Sequence, residues 1–180
     1  MIYSVIDIPQ ELFAPAAFAH YEGEFELAVL KAGPDLYSFA EPLAWSVDIT
    51  NTGDALLVQG EVEGTARTAC ARCLEPVDID LLGEIEGSFV LDGETHPEAL
   101  EDDECSLLPA DHRIDLEPLM KAGLLLDVPY VPLCDDDCKG ICPECGANLN
   151  EGDCGCSAKA EDEAMAKSPF AAMKDLHLGE

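Results

Sequence analysis

Positive charge is what this sequence has least of. Lys and Arg number 9 against 38 Asp and Glu, for a formal net charge of -29 and a pI near 4.1. Such a surface repels phosphate backbones, so autonomous binding to nucleic acid is not expected. It repels anionic membranes in the same way and draws in basic proteins. Aromatic residues are scarce too, at 6% with a single Trp, so any core must be mostly aliphatic. Apolar residues still make up 48% of the 180 positions, which sets the chain apart from acidic disordered sequences and is enough for one real core. No run approaches the roughly 18 apolar residues of a membrane helix. The opening MIYSVIDIPQEL has no basic region ahead of an apolar stretch, so no secretory signal is read there and a cytoplasmic location is expected. Phosphate loops, H-E-x-x-H and nucleophile–base arrangements are all missing. The four histidines (His20, His96, His112, His177) lie far from the cysteines in sequence, and no internal repeat is evident.

The first 40 residues read as short strands and turns, with a turn at Gly33-Pro34-Asp35. Leu43, Trp45, Val47 and Ile49 alternate on one face of a strand, and Asn51-Thr52-Gly53-Asp54 signals a tight turn. A long strand follows, with a bulge expected at Gly60 or Gly64. After Cys70-Ala71-Arg72-Cys73 the alternation resumes through Val77, Ile79 and Leu81. Residues 41–91 are thus expected to form an antiparallel meander with C-x-x-C at one turn. Residues 92–104 hold seven acidic residues and no Lys or Arg and read as a solvated loop. Residues 115–127 are expected to be a helix, with Asp115 as N-cap, Leu116, Leu119, Met120 and Leu124 on one face, and Pro129 and Pro132 beyond its end. Residues 158–180 read as a linker and a short terminal helix. The expected architecture is α+β: an antiparallel β-sheet or partial barrel with one packed helix over 1–130, then a zinc-ribbon-like module over 131–157.

Cysteine is abundant, with nine residues, six of them within 134–156. An odd count without a secretory signal argues against a disulfide scaffold and for metal. The spacing from Cys134 is C-x3-C-x3-C-x2-C-x8-C-x-C, centred on Cys142-Pro143-Glu144-Cys145-Gly146. C-P-x-C-G is a zinc knuckle: two thiolates reach one ion, Pro fixes the turn, and Gly lets backbone N–H groups point back at the sulfurs. Soft thiolates in a tetrahedral set favour zinc. Four cysteines leave no open position, so the metal is expected to be structural, not catalytic. One ligand set joins Cys142 and Cys145 to Cys154 and Cys156, and is preferred because 148–153 reads as a hairpin. A second set joins them to Cys134 and Cys138, and a two-metal cluster with shared thiolates is a third. Cys70 and Cys73 have three readings: a packed turn without chemistry, a second metal position alone or with downstream cysteines, or a redox pair. The redox reading is weakened because strands flank both sides, whereas a thioredoxin-like motif sits between a strand and a helix. Cys105 stands alone and is given no role.

CARCLEPV, IDLEPLMKAGLLLDVPYVPLC, CKGICPECGANLNEGDCGC and SPFAAMKDL together resemble the YceD (DUF177) family in order and spacing, across residues 68–176. Residues before these fit only in length and strand pattern. The resemblance implies a bacterial or plastid factor needed for accumulation of large-subunit ribosomal RNA. It also implies a gene commonly neighbouring that of a small basic ribosomal protein. Some members lack the downstream cysteines, and in others histidines stand where Cys154 and Cys156 lie, which suits a ligand role for these two. No catalytic residue is implied.

The expected function is therefore a non-catalytic ribosome-biogenesis factor with structural zinc. Its expected partner is a basic ribosomal protein or a pre-ribosomal particle, contacted through residues 92–104 and Asp135-Asp136-Asp137. The alternatives are a thiol oxidoreductase using Cys70 and Cys73, or a zinc-ribbon adaptor in another assembly.

Overall fold

A computed structural model describes residues 4–91 and 105–156. The expected acidic loop at 92–104 and the linker and terminal helix at 158–180 lie outside the described residues. The elements, in order, are β1 (Val5–Asp7), a 3-10 turn (Gln10–Phe13), β2 (Phe18–Phe25), β3 (Val29–Ala32), β4 (Asp35–Phe39), β5 (Leu43–Asn51), β6 (Ala55–Ala69), β7 (Pro76–Val90), β8 (Cys105–Leu107), β9 (Arg113–Asp115) and α1 (Glu117–Asp127). Among the described residues the architecture is α+β, mostly antiparallel sheet with one α-helix. The chain divides into two units: Met1–Thr68 with Val77–Tyr130, and Ala69–Pro76 with the chain from Val131 on. Residues 69–76, expected inside a 1–130 domain, thus fold with the second unit.

In the first unit, strict alternation builds the sheet. Along β5, Leu43, Trp45, Val47 and Ile49 are buried while Ala44 and Asp48 are exposed, the period-two pattern of a strand with one face on a core. Seven strands form one sheet in which β2, β5, β6, β4 and β3 are consecutive neighbours, β7 pairs with β6 and β8 pairs with β7. The β7–β8 pair is parallel, a departure from the all-antiparallel expectation. Gly33, at φ +59, turns β3 into β4, whose facing residues begin at Ala32 and Asp35. Thr65 donates to Asp80 and Arg67 forms two hydrogen bonds to Asp78 across β6 and β7, as in an antiparallel hairpin. The turn of that hairpin carries Cys70 and Cys73.

No bulge interrupts β6 at Gly60. Its ladder with β5 runs unbroken from Ala44↔Glu63 to Asn51↔Leu56. Glycine is needed there for close approach, since a Cβ would stand 2.0 Å from the Ser46 carbonyl oxygen. Gly64 lies just past the end of that ladder, before Ala66 pairs with Phe39 of β4.

The helix starts one residue later than expected, at Glu117 with Leu116 rather than Asp115 as N-cap. Residues 113–115 form β9, which pairs with β1 (Val5↔Asp115), so Asp115 belongs to a strand and Leu116 is the N-cap. Asp115 still acts on the helix start, its Oδ1 accepting the Glu117 N–H at 2.9 Å. Leu116, Met120 and Leu124 are fully buried, and Leu119 packs on the same core. The helix crosses β7 at two glycines. A Cβ on Gly123 would stand 2.1 Å from the Glu84 oxygen, and one on Gly83 would stand 2.5 Å from the Leu124 nitrogen. Among the described residues, no helix is long and apolar enough to cross a membrane.

Secondary structure in 131–155 amounts to turns and one antiparallel bridge, Ile141↔Asn148, which spans the Cys142–Cys145 turn and only touches the first residue of the 148–153 stretch expected to be a hairpin.

Candidate metal centres

Both candidate centres lie in the second unit. Eight cysteines fall into two groups of four: Cys70, Cys73, Cys134 and Cys138, then Cys142, Cys145, Cys154 and Cys156. Within each group all the sulfurs lie within 4.8 Å of one another. Cys70 and Cys138 sulfurs are 3.8 Å apart and those of Cys73 and Cys134 3.5 Å. A tetrahedral ion with metal–sulfur bonds of about 2.3 Å requires sulfur–sulfur edges of about 3.8 Å. These separations fit a shared ion and are far too long for a disulfide, whose sulfurs lie about 2.05 Å apart. The donor set suits soft metals such as zinc.

The two C-x-x-C turns are built alike. The Cys70 N–H donates to the Glu75 C=O at 2.8 Å, and the Leu74 N–H to the Cys70 C=O at 2.9 Å. Seventy-two residues on, the Cys142 N–H donates to the Ala147 C=O at 2.8 Å, and the Gly146 N–H to the Cys142 C=O at 2.9 Å. The residue after the second cysteine is left-handed in both turns, Leu74 at φ 64 and Gly146 at φ +73. In each, the two N–H groups that follow point back at the first sulfur: Arg72 and Cys73 at Cys70, Glu144 and Cys145 at Cys142. The sequence marks a knuckle at the second turn and leaves a metal position at the first as one of three alternatives; Leu74 stands there where Gly146 stands in the second.

The other half of each group comes from polar turns. Asp135 Oδ1 accepts the Asp137 N–H at 2.8 Å, between Cys134 and Cys138. Asp153 Oδ1 accepts the Gly155 N–H at 2.8 Å, setting Cys154 and Cys156 on either side of Gly155, whose φ is +72. Arg72, which sequence reasoning passed over, donates from Nη1 to the carbonyls of Asp136 and Cys138, both at 3.0 Å. Its own carbonyl accepts the Ile141 N–H at 3.2 Å. Asn150, also passed over, donates from Nδ2 to Cys138 Sγ at 3.3 Å. Nothing in composition or spacing marks either residue.

The electrostatics divide each group. Burial pushes the Cys70 thiol up, but the N–H groups of Cys73, Arg72 and Cys134 outweigh it and hold Cys70 at about 6. The facing sulfurs of Cys73 and Cys138 push Cys134 up to about 12. In the second group the N–H groups of Cys145 and Glu144 hold Cys142 at about 7, and the sulfurs of Cys145 and Cys154 push Cys156 up to about 12. Four thiolates this close cannot all ionise without a cation among them, and a dication removes that barrier.

The sequence-derived candidates are thus arranged as follows. Cys142 and Cys145 stand with Cys154 and Cys156, while Cys134 and Cys138 stand with Cys70 and Cys73 rather than with the central knuckle. Cys105 lies in β8. Among the described histidines, His20 pairs with Asp48 and His112 packs against Phe13 with the rings tilted at 52°, both in the first unit.

Among the described residues, an aliphatic sheet with one α-helix and a unit carrying two groups of four cysteines able to hold metal define the class of protein. Residues 58–177 match the family described as large ribosomal RNA subunit accumulation protein YceD, and the chain belongs to that family. An uncharacterized protein of Mycobacterium tuberculosis is 33% identical over 101 residues, 56% of this chain and 48% of the relative. The chloroplastic YCED homolog 1 of Arabidopsis thaliana, named a large ribosomal RNA subunit accumulation protein, is 25% identical over 152 residues, 71% of this chain and 47% of the relative. Its Zea mays counterpart is 26% identical over 137 residues, 61% and 46% of the two chains. The chain spans about half the length of the curated relatives it matches. No solved structure matches it.

Proposed function

We propose that this protein is a non-catalytic factor supporting accumulation of large-subunit ribosomal RNA, its second unit held together by zinc. It acts by holding a basic ribosomal protein, free or on a pre-ribosomal particle. The observation that carries this is the family match over residues 58–177, which takes in all eight clustered cysteines. Chemistry supports the rest. A closed four-thiolate set leaves no coordination position for a substrate. A chain at -29 is a poor ligand for bare RNA and a good one for a Lys/Arg-rich protein. In the first unit, Glu41, Glu63, Asp78, Asp80 and Asp127 line one cleft whose single cation, Arg67, is already engaged by Asp78. Shielding a basic protein until RNA displaces it protects both from loss, so RNA accumulates. Cys70 and Cys73 sit among four sulfurs, not two, so the redox alternative gains no support.

The test is depletion of the protein in its host, with large- and small-subunit RNA quantified together, and affinity purification of the native chain. Loss of large-subunit RNA alone, with a basic ribosomal protein co-purifying, is expected. Unchanged RNA ratios overturn the role. Recovery of RNA without ribosomal protein, persisting in high salt, overturns the partner.

A further inference from the structure

Asn150 belongs to neither group of four, yet it touches one and stands in the loop that the other closes. Its Nδ2 donates to Cys138 Sγ at 3.3 Å and its Oδ1 accepts the Lys139 N–H at 2.7 Å. One carboxamide therefore grips the last ligand of the first group and the peptide after it. Asn150 itself stands in the loop between Cys145 and Cys154, which the second group closes. The loop is tied back to the segment before it by the two bonds of the Ile141↔Asn148 bridge, Cys142 N–H to Ala147 C=O at 2.8 Å and Leu149 N–H to Gly140 C=O at 2.9 Å, and beyond these only by turn bonds, Glu151 N–H to Asn148 C=O at 3.2 Å and Asn150 N–H to Asn148 Oδ1 at 3.0 Å. Leu149 is its one large aliphatic residue. The bridge ends at Leu149, so Asn150 lies between it and Cys154, where an ion at the second group would close the chain.

We propose that the chain holds two metal ions in separate four-thiolate centres and that Asn150 couples them. An ion on Cys142, Cys145, Cys154 and Cys156 orders Asn150. Its N–H then supports the Cys138 thiolate toward an ion on Cys70, Cys73, Cys134 and Cys138. The proposal rests on the thiolate–metal part of the reading above and not on the role in RNA accumulation. Removing a group that hydrogen-bonds a metal ligand typically weakens binding by about 10–100-fold. Coupling is reciprocal, so an ion at the first centre tightens the second by the same factor.

The experiment titrates the full, metal-stripped chain with Zn(II), counting ions by native mass spectrometry. A parallel titration uses Co(II), whose sulfur-to-metal absorption reports thiolate ligation. The unmodified chain takes up two ions. Asn150→Ala takes up two, with the Cys70 centre weakened by about 10–100-fold. Asn150→Asp keeps the acceptor for Lys139 but sets a carboxylate against Cys138, and weakens that centre at least as much. A Cys154→Ser, Cys156→Ser variant takes up one ion, weakened by the same factor, and adding Asn150→Ala to it weakens it no further, because the loop is already unfixed. Two ions with undiminished affinity in Asn150→Ala, or losses that simply multiply in the combined variant, overturn the coupling. One ion in the unmodified chain overturns the two-centre arrangement, and none overturns the metal reading. RNA levels score the cellular role separately.

Discussion

Replacing Gly123 with Ala sets helix propensity against packing, and the two forecast opposite signs. On propensity alone, Ala in the interior of α1 stabilises the helix by about 1 kcal/mol over Gly. The new Cβ, however, would stand 2.1 Å from the Glu84 carbonyl oxygen and 2.9 Å from its carbon. Neither can yield, because both are backbone of β7. Relief requires the helix to withdraw by about 1 Å, and a gap of 0.5–1 Å forfeits roughly a quarter to a half of each contact's attraction. The contacts at stake are those of Leu116, Met120 and Leu124, all fully buried. Overpacking of this kind costs about 1–3 kcal/mol, and the upper part of that range applies where backbone meets backbone. Set against the propensity gain, a net loss of about 2 kcal/mol is expected. Trp45 is the chain's single tryptophan and lies in the core of the same unit, so its fluorescence during urea unfolding reports that unit directly. A lower midpoint with unchanged slope is the expected outcome. A midpoint equal to or above that of the parent chain would refute the helix–strand contact.

Two further outcomes follow from buried polar groups and from the thiols. Asn51 is 2% exposed, donates to the Leu12 C=O at 2.8 Å and accepts the Gly53 N–H at 2.7 Å. Asn51→Ala leaves both without a partner and costs about 2–3 kcal/mol, read from the same urea curve. Metal binding requires thiolates, so acid competes with it and affinity falls as pH falls. The fall steepens below about 7 at the second centre, where Cys142 also becomes protonated, and below about 6 at the first, where Cys70 does. Chelator-competition titrations across pH 5–8 check this, and an affinity flat over that range contradicts thiolate ligation.

Local pattern made much of the fold legible. The alternation of Leu43, Trp45, Val47 and Ile49 names its own buried face, and the helical face of Leu116, Met120 and Leu124 does the same. Errors fell where a distant segment decides. The start of α1 was misplaced because β9 pairs with β1, more than a hundred residues earlier in the chain. The bulge expected at Gly60 or Gly64 is absent at Gly60: a glycine in a strand marks either a bulge or a close approach, and only the register with β5 distinguishes them. The cysteines teach the same lesson. C-P-E-C-G announces a knuckle through Pro and Gly, whereas C-A-R-C-L makes the same backbone turn with neither. Spacing could not join Cys70 to Cys138, 68 residues apart, although setting Cys105 aside leaves two complete sets of four. Asn150 and Arg72 act through positions that only the folded chain brings together.

The composition of the second unit makes a last outcome follow from the metal alone. Among its described residues, the buried apolar cluster is Cys70, Cys73 and Cys138 with Leu133 packed against them. Three of those four residues are candidate ligands, so the core of this unit is the first centre itself. Remove the ion and what remains is a set of sulfurs that resist shared ionisation, too few aliphatic contacts to offset chain entropy, and exposed turns. Structural zinc supplies about 10 kcal/mol or more to small modules, which is ample to order a segment this short and ample to lose. The first unit has its own aliphatic core and holds none of the eight clustered cysteines. A strong chelator should therefore open residues 131–156 to protease and speed their amide exchange, while leaving the urea midpoint reported by Trp45 where it was. If those amides stay protected in the stripped chain, side-chain packing holds the second unit and the ions are passengers. If the Trp45 midpoint falls with metal removal, the two units do not fold independently and the first draws stability from the ions as well.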